Sequence, residues 1–168
     1  VVVRDANLCQ DSLAFNLDAP DAVTVELSMT PADCFGIPTG MAVVTPNGGT
    51  GPYTYTWSSG ASDSIAMNLS AGMVSVDVRD ANNCLATAEI EITQPEVLEV
   101  MLMGDDPSCF AAANGTITAT PNGGVDPYIF RWTNGQDTPT ATDIAAGMMQ
   151  EVEVEDANGC LATASTTL

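Results

Sequence analysis

The stretch that decides the fold is DANNCLATA at residues 80–88, because it returns almost unchanged as DANGCLATA at residues 156–164. Its first part also occurs as DANLC at residues 5–9. TPNGG also recurs, at residues 45–49 and 120–124, a spacing of 75 residues, whereas the two longer motifs lie 76 residues apart. A fixed period of this length is the signature of tandem structural repeats. The chain therefore consists of copies of one structural unit.

The period predicts three units. Residues 1–20 are the C-terminal strands of a truncated repeat, residues 21–95 are a complete repeat (repeat 1), and residues 96–168 are the next one (repeat 2). The repeats meet at Gln-Pro, residues 94–95, and Ala-Pro at residues 19–20 is the earlier equivalent. Proline fixes φ and removes a backbone donor. We therefore expect short, stiff junctions and a rigid string of repeats.

Within each repeat, apolar and polar residues alternate. Residues 23–27 read VTVEL, and residues 86–92 read ATAEIEI. Alternation with period two is typical of half-buried strands. Clusters of Pro, Asn and Gly lie between these runs and predict turns. The sequence thus predicts an all-β fold of tandem, Ig-like antiparallel β-sandwich repeats.

The ordered motifs resemble the SprB repeat of giant cell-surface proteins of the Bacteroidota. In repeat 2 they are a cysteine at position 109, NGTIT at residues 114–118, PYIFRW at residues 127–132 and the DANGC motif. The resemblance implies a PKD-like sandwich, export by the type IX pathway, and display outside the cell, as in gliding-motility adhesins. The chain departs from the pattern at Asn83, which replaces the turn glycine, and at residues 40–42.

The net charge of the chain limits the classes of partner that it can bind. It has 22 acidic residues, three arginines, no lysine and no histidine, for a net charge of −19. Such a chain repels phosphate backbones and anionic lipids, so neither nucleic acid nor a membrane surface is expected as a partner. No apolar run approaches the roughly 20 residues that span a bilayer, so direct membrane insertion is not expected either. Divalent cations are better candidates.

The missing residue types also bear on catalysis. Without histidine there is no Ser-His-Asp triad and no ordinary zinc site. Without lysine there is no phosphate-binding P-loop. We therefore expect no enzymatic activity and no cofactor, apart from calcium.

The cysteines suit an oxidising exterior, and two pairing schemes fit their spacing. Pairing within repeats joins Cys34 to Cys84 and Cys109 to Cys160, and leaves Cys9 unpaired by truncation. Pairing between repeats joins Cys9 to Cys34 and Cys84 to Cys109, and leaves Cys160 unpaired. In the second scheme about 16 residues of collinear strand, at about 3.3 Å each, separate the partners, which exceeds disulfide reach. The spacing therefore favours pairing within repeats.

A calcium site is one interpretation of the acidic turns, because the Asp-x-Asn spacing occurs at the start of calcium loops. The aspartates next to the strand end before Cys109 could complete such a site in space. The alternative is a hairpin turn supported by the Asp side chain, without a metal. The candidate ligands are Asp80, Asn82, Asp105, Asp106, Asp156 and Asn158.

Several outward strand positions are apolar. Met101 and Met103 stand where repeat 1 has polar residues, and Met41 and Val43 stand where repeat 2 has threonines. Methionine-rich faces adapt to partners. These four residues predict a lateral interface in a homo-oligomer or fibre bundle; the alternative is a monomeric string with a patchy surface.

The aromatic residues share one strand face in each repeat. In repeat 1 they are Tyr53, Tyr55 and Trp57. We expect them to form the core of the sandwich. If they were exposed, they could stack on sugars, and the chain would be a carbohydrate-binding accessory module of a secreted enzyme.

The function predicted from these observations is that of an extracellular structural or adhesive repeat region. It would form a stiff stalk or fibre of a giant bacterial surface protein, and its surface or glycan target is unknown. Ser12 and Ser64 lie in short Asp-Ser motifs that resemble O-glycosylation sites of secreted Bacteroidota proteins.

Overall fold

The computed structural model describes residues 1–14, 16, 21–109 and 112–168. Its regular elements in these residues are fourteen strands. The strands are β1 Val2–Arg4, β2 Gln10–Ser12, β3 Thr24–Thr30, β4 Gly40–Asn47, β5 Thr54–Trp57, β6 Ile65–Leu69, β7 Gly72–Arg79, β8 Leu85–Ile92, β9 Glu99–Asp105, β10 Gly115–Asn122, β11 Ile129–Trp132, β12 Thr140–Ile144, β13 Met149–Glu155 and β14 Leu161–Thr167. No helix in the described part of the chain is long and apolar enough to cross a membrane.

Each repeat is a sandwich of two three-stranded antiparallel sheets. In repeat 1 the sheets have the strand orders β3-β4-β6 and β5-β7-β8; in repeat 2 they are β9-β10-β12 and β11-β13-β14. The predicted all-β, Ig-like class is confirmed. Strands β1 and β2 form a separate hairpin with the same register as β7 and β8 have around their turn. The earlier junction, residues 19–20, lies outside the described residues.

Each sandwich has its own core because the alternating strands turn one face of each sheet inward. Val76 and Val78 of β7 are fully buried, as are Val152 and Val154 at the equivalent places in β13. The register of β13 with β14 matches that of β7 with β8. The two repeats therefore fold as equivalent and separately filled units.

Each sandwich also has two poles. The loop between β3 and β4, residues 31–39, holds Cys34 and forms the cysteine-loop pole. The turn between β7 and β8, residues 80–84, forms the Asp-turn pole. Strand β8 leads from the Asp-turn pole to the cysteine-loop pole, where Thr93 accepts a hydrogen bond from the Ala32 backbone N–H at 2.9 Å. Because β8 has eight residues, the two poles of repeat 1 lie roughly 26 Å apart.

Candidate functional site at the junction between repeats

A disulfide joins the two repeats. Cys34 in the cysteine loop of repeat 1 is bonded to Cys160 in the Asp turn of repeat 2, with a Cα–Cα distance of 5.7 Å. The two residues are separated by 126 positions in sequence. The bond crosses the junction beside the main-chain link at residues 94–95, so two covalent connections hold the repeats together there.

The expectation that each disulfide lies within one repeat is wrong. Cys34 and Cys84 sit at opposite poles of repeat 1, separated by the length of β8. Disulfide partners have Cα atoms at most about 6.8 Å apart, so this pair cannot meet. Repeat 2 has the same arrangement, because β14 begins directly after Cys160 and ends beside Leu168, whose side chain lies against Gly104 at the far pole.

The alternative scheme is also wrong for Cys34 and Cys160, because it pairs Cys34 with Cys9 and leaves Cys160 free. In the described residues Cys9, Cys84 and Cys109 have no disulfide partner, and all three are exposed. The observed pairing was missed because spacing in sequence does not show which poles face each other. One signal pointed to it: the chain leaves one repeat at its cysteine-loop pole and enters the next at its Asp-turn pole.

Polar contacts reinforce the junction on both sides of the disulfide. The Asn158 side-chain amide of repeat 2 donates a hydrogen bond to the Asp33 backbone carbonyl of repeat 1 at 2.8 Å. Within repeat 1 the Gly36 N–H donates to the Gln94 side-chain oxygen at 2.8 Å, which ties the cysteine loop to the linker. The loop, the linker and the Asp turn thus form one connected structure.

An apolar cleft of about 340 Å³ lies beside the disulfide. Phe35 and Ile37 line it from repeat 1, and Val97, Leu98 and Leu161 line it from repeat 2. Phe35 and Leu161 are more than half exposed. The two repeats therefore share an apolar surface at the junction without closing it.

The Asp turn is built by a carboxylate that accepts backbone N–H groups. In repeat 2 one oxygen of Asp156 accepts from Asn158 and Cys160, each at 2.9 Å, and the other accepts from Val125 at 2.9 Å. A Cβ on Gly124 would lie 2.8 Å from that second oxygen, and Gly124 has a φ of +65°. Glycine is therefore required where the TPNGG loop meets the turn.

Repeat 1 has the same turn. Asp80 is buried and accepts from the N–H groups of Cys84 and Asn82 with one oxygen and from Thr50 with the other. The Cys84 N–H, followed by those of Thr50 and Asn82, holds the pKa of Asp80 below its usual 3.8 against the opposing effect of burial. The negative charge of Asp80 in turn raises the pKa of the exposed Cys84 thiol above its usual 9.0.

The predicted calcium ligands are not brought together. Asp105 pairs with Thr116 near the start of β10, whereas the Asp156 turn holds Val125, just beyond the end of that eight-residue strand. No group of three or more acidic, cysteine or histidine side chains suited to a metal occurs in the described residues. The Asp80 and Asp156 carboxylates instead serve their own turns. Calcium binding stays a prediction.

The predicted lateral residues lie on the outer faces of corresponding sheets. Met101 and Met103 of β9 are 64% and 76% exposed. Met41 and Val43 of β4 are half-buried and lie opposite polar residues of β3. The two pairs occupy different strands, so the outer face differs from one repeat to the next.

The aromatic residues belong to the cores, as predicted. Trp57 and Trp132 are 2% and 4% exposed, and each indole N–H donates to a backbone carbonyl at 2.8 Å. Tyr128 donates to the Gly123 carbonyl at 2.7 Å, which ties the core to the TPNGG loop. The two indole rings cannot stack on a sugar while the sandwich is folded, whereas Tyr53, Tyr55 and Tyr128 are half-buried and pack against the cores.

The two serines proposed as modification sites differ in setting. Ser12 lies in β2 and is exposed. Ser64 is half-buried, and its carbonyl accepts a hydrogen bond from Val44 at 2.9 Å. O-glycosylation at either site stays a prediction.

Comparison with known protein families finds a match in part of each repeat. The family model of the SprB repeat matches residues 27–62 and 105–137. The model thus matches one region in each of the two repeats. The resemblance predicted from the cysteine, the NGTIT motif and the aromatic strand is thereby confirmed. Both matched regions begin in or at the end of the first strand of a repeat and end after its tryptophan. No curated protein matches the chain.

Comparison with solved structures finds several similar chains. One is the crystal structure of the C-terminal 282-residue fragment of intimin in complex with the translocated intimin receptor intimin-binding domain (14% identity, TM-score 0.46); the alignment covers 88% of this chain and 64% of that one. A second is a structure on the basis of Dscam isoform specificity (12% identity, TM-score 0.38), for which the alignment covers 89% of this chain and 46% of that one. A third is the crystal structure of the four N-terminal Ig domains of Dscam1 isoform 8.4 (13% identity, TM-score 0.33), for which the alignment covers 94% of this chain and 45% of that one. At these TM-scores the likeness carries no functional assignment.

Proposed function

We propose that this chain is part of a stiff extracellular stalk or fibre of a giant bacterial surface adhesin. The observation that supports this best is the junction, where a disulfide and the main chain connect the same two poles. Two connections restrict bending and twisting more than one linker does. A stack of SprB repeats held in this way would keep a distal adhesive region at a distance from the cell.

The disulfide and the acidic charge also support an extracellular location. Disulfides persist in oxidising surroundings such as the outside of a cell. The net charge of −19 keeps a long array soluble and disfavours contact with anionic surfaces. From the SprB family the proposal takes export by the type IX pathway and a role in attachment or gliding. It assigns no reaction to the chain.

Lateral bundling is the second part of this proposal. Met101 and Met103 are exposed on the same face of β9, opposite Thr120 and Thr118 of β10. Methionine packs well against irregular partners. Identical chains lying side by side would cover these two methionines, and high salt would screen the repulsion between their acidic surfaces.

Stiffness is tested by small-angle X-ray scattering of the chain with and without reductant. We expect the oxidised chain to fit one elongated shape and the reduced chain to need a distribution of angles between repeats. Cys84→Ser, which leaves the junction bond intact, is the matched control. A broad distribution of angles in the oxidised chain would contradict the stalk.

Bundling is tested by light scattering behind size exclusion in high salt, with calcium and with chelator. We expect a defined multimer, and Met101→Ser with Met103→Ser should return it to the monomer. A monomer under all conditions would remove lateral bundling from the proposal. Loss of the multimer with chelator alone would place calcium in the assembly.

A further inference from the structure

We infer that the Asp-turn pole of repeat 1 and the cysteine-loop pole of repeat 2 each bind a further SprB repeat. A disulfide would then join the two repeats at every junction of the array. The Asp turn with Cys84 would receive the cysteine loop of a preceding repeat. The cysteine loop with Cys109 would receive the Asp turn of a following repeat. This inference extends the proposed stalk and rests on it.

The first support is that the complementary pair is already seen once. Cys34 and Cys160 show how a cysteine loop and an Asp turn fit together. Cys109 lies 75 positions after Cys34, and Cys84 lies 76 before Cys160, which makes them the repeat equivalents of the two bonded residues. Each is exposed and has no partner in the described residues.

The second support is that the Asp turn of Cys84, which has no disulfide partner among the described residues, already has the backbone conformation of the disulfide-bonded turn of Cys160. In both turns the Asp carboxylate accepts from the cysteine N–H, at 2.8 Å for Cys84 and at 2.9 Å for Cys160. The residue before each cysteine has a positive φ, 65° at Asn83 and 81° at Gly159. Docking of a cysteine loop therefore requires no rebuilding of the backbone at Cys84.

The third support is the asparagine of the turn. The Asn158 side chain donates across the junction to the Asp33 carbonyl, whereas the Asn82 side chain donates to the Thr50 hydroxyl of its own repeat at 3.1 Å. Asn82 is exposed, so its side chain is free to reach a docked loop. The hairpin at the start of the chain carries a third copy of the turn, in which Asp5 accepts from Asn7 and Cys9, each at 2.9 Å.

Stapling every junction has a mechanical consequence. From Cys84 the chain runs through β8, the linker and β9 to Cys109, a path of 25 residue steps that crosses two repeats. In a fully bonded array a disulfide at each end would continue this path into the next repeats. Because strands are already close to the maximum length of about 3.5 Å per residue, this path can lengthen little under force. Force would pass along it without unfolding the sandwiches.

The test is a three-repeat chain made by appending a second copy of residues 93–168 after Leu168. The appended copy carries Cys109→Ser, so that only one Cys109 remains. After oxidation the thiols are alkylated at low pH, and the disulfides are mapped by Glu-specific digestion and mass spectrometry. We expect Cys109 bonded to Cys160 of the appended copy, Cys34 bonded to the first Cys160, and Cys84 alkylated.

Two outcomes would overturn the inference in different ways. If Cys109 is alkylated as fully as Cys84 while the Cys34 bond forms, stapling is restricted to one junction and the proposed stalk is unaffected. If the cysteines pair within repeats, the observed junction itself fails, and the stalk loses its main support. Cys84→Ser, as the matched control, should leave the Cys109 bond unchanged.

A pulling measurement gives an independent readout on the same chain. With reductant, each unfolding repeat of 75 residues should lengthen the chain by roughly 200 Å. In the oxidised chain the middle repeat, bonded at both poles, should give no step of that size. A full-length step from every repeat under oxidising conditions would contradict the stapled array.

Discussion

The two Asp turns, residues 80–84 and 156–160, have nearly the same sequence and the same backbone hydrogen bonds, yet different roles. At the second turn Cys160 is bonded to repeat 1 and Asn158 reaches across the junction. At the first turn the corresponding side chains are exposed, and the asparagine bonds within its own repeat. The repeat sequence thus sets the turn, and the neighbour decides what its side chains do.

The same contrast separates the cores of the repeats from their outer faces. The buried valines of β7 and β13 occupy equivalent positions in the two repeats. On the outer face, Glu26 and Ser28 of repeat 1 correspond to Met101 and Met103 of repeat 2. Packing keeps the buried positions apolar, even where Ala42 of repeat 1 becomes Ile117 in repeat 2, whereas outward positions change between polar and apolar residues.

The largest expected effect tests whether the two cores are alike. Trp57→Ala and Trp132→Ala should each destabilise their own repeat by about 3–5 kcal/mol, because a large buried ring is lost and a cavity remains. Denaturant unfolding followed by circular dichroism measures the loss in the mutated repeat, and the fluorescence of the remaining tryptophan shows whether the other repeat keeps its stability. A cost near zero at either site would mean that the ring is not part of a packed core.

The next effect concerns the junction alone. Replacing both Cys34 and Cys160 by Ser should destabilise the chain by up to about 4 kcal/mol in total, because the bond no longer restricts the unfolded chain. Thermal unfolding of the oxidised chain measures this. Cys84→Ser, at the unbonded turn, should change stability by less than about 0.5 kcal/mol. An equal loss of stability from Cys84→Ser and from the double replacement would contradict the conclusion that only the Cys160 turn is bonded across the junction.

A smaller effect concerns the charge of the Asp turn. Because the pKa of Asp80 is lower in the folded chain than its usual 3.8, its carboxylate stabilises repeat 1 at higher pH. This contribution is lost as the pH falls from about 5 through the lowered pKa. Asp80→Asn should therefore flatten the fall in stability below about pH 5, as measured by denaturant unfolding at a series of pH values.

The control for the Asp turn removes one charge elsewhere in repeat 1. Glu89→Gln changes the exposed face of β8 and leaves the turn intact. It should keep the acid dependence of the original chain more closely than Asp80→Asn does. If the two variants behave alike, net charge rather than the turn controls the acid response.

The smallest effect on stability is expected at the outer face. Met101→Ser and Met103→Ser should each change the stability of the isolated chain by less than about 0.5 kcal/mol, because both side chains are exposed. Differential scanning calorimetry at low concentration measures this. A large loss of stability would show that the methionines support the fold of repeat 2 rather than an interface.

Most strands could be predicted from alternation alone, but β6 and β12 could not. Each forms an irregular edge of its sheet, with a register shift against β4 or β10. Asn68 and Asp143 adopt positive φ values of 56° and 59° within these strands. A positive φ breaks the period-two pattern, so the sequence signal is lost where the strand bends.

The site at the junction was predicted only in part. The cysteines, the Asp turn and the linker were all recognisable as motifs, and the burial of Trp57 and Trp132 followed from their shared strand face. The pairing of Cys34 with Cys160 was not predicted, because the two residues lie 126 positions apart and in different repeats. The spacing argument considered partners within one repeat and the sequence-adjacent cysteines of neighbouring repeats, and it had no measure of which poles meet.

By itself the sequence determined the repeat, the β-sandwich, its core and the acidic, lysine-free surface, since these depend on local alternation, turn residues and composition. The tertiary structure alone decided which cysteines bond and which poles face each other. The physical reason is that a disulfide needs two Cα atoms within a few ångströms. That distance is set by the length of β8 and the direction of the linker, not by separation along the chain.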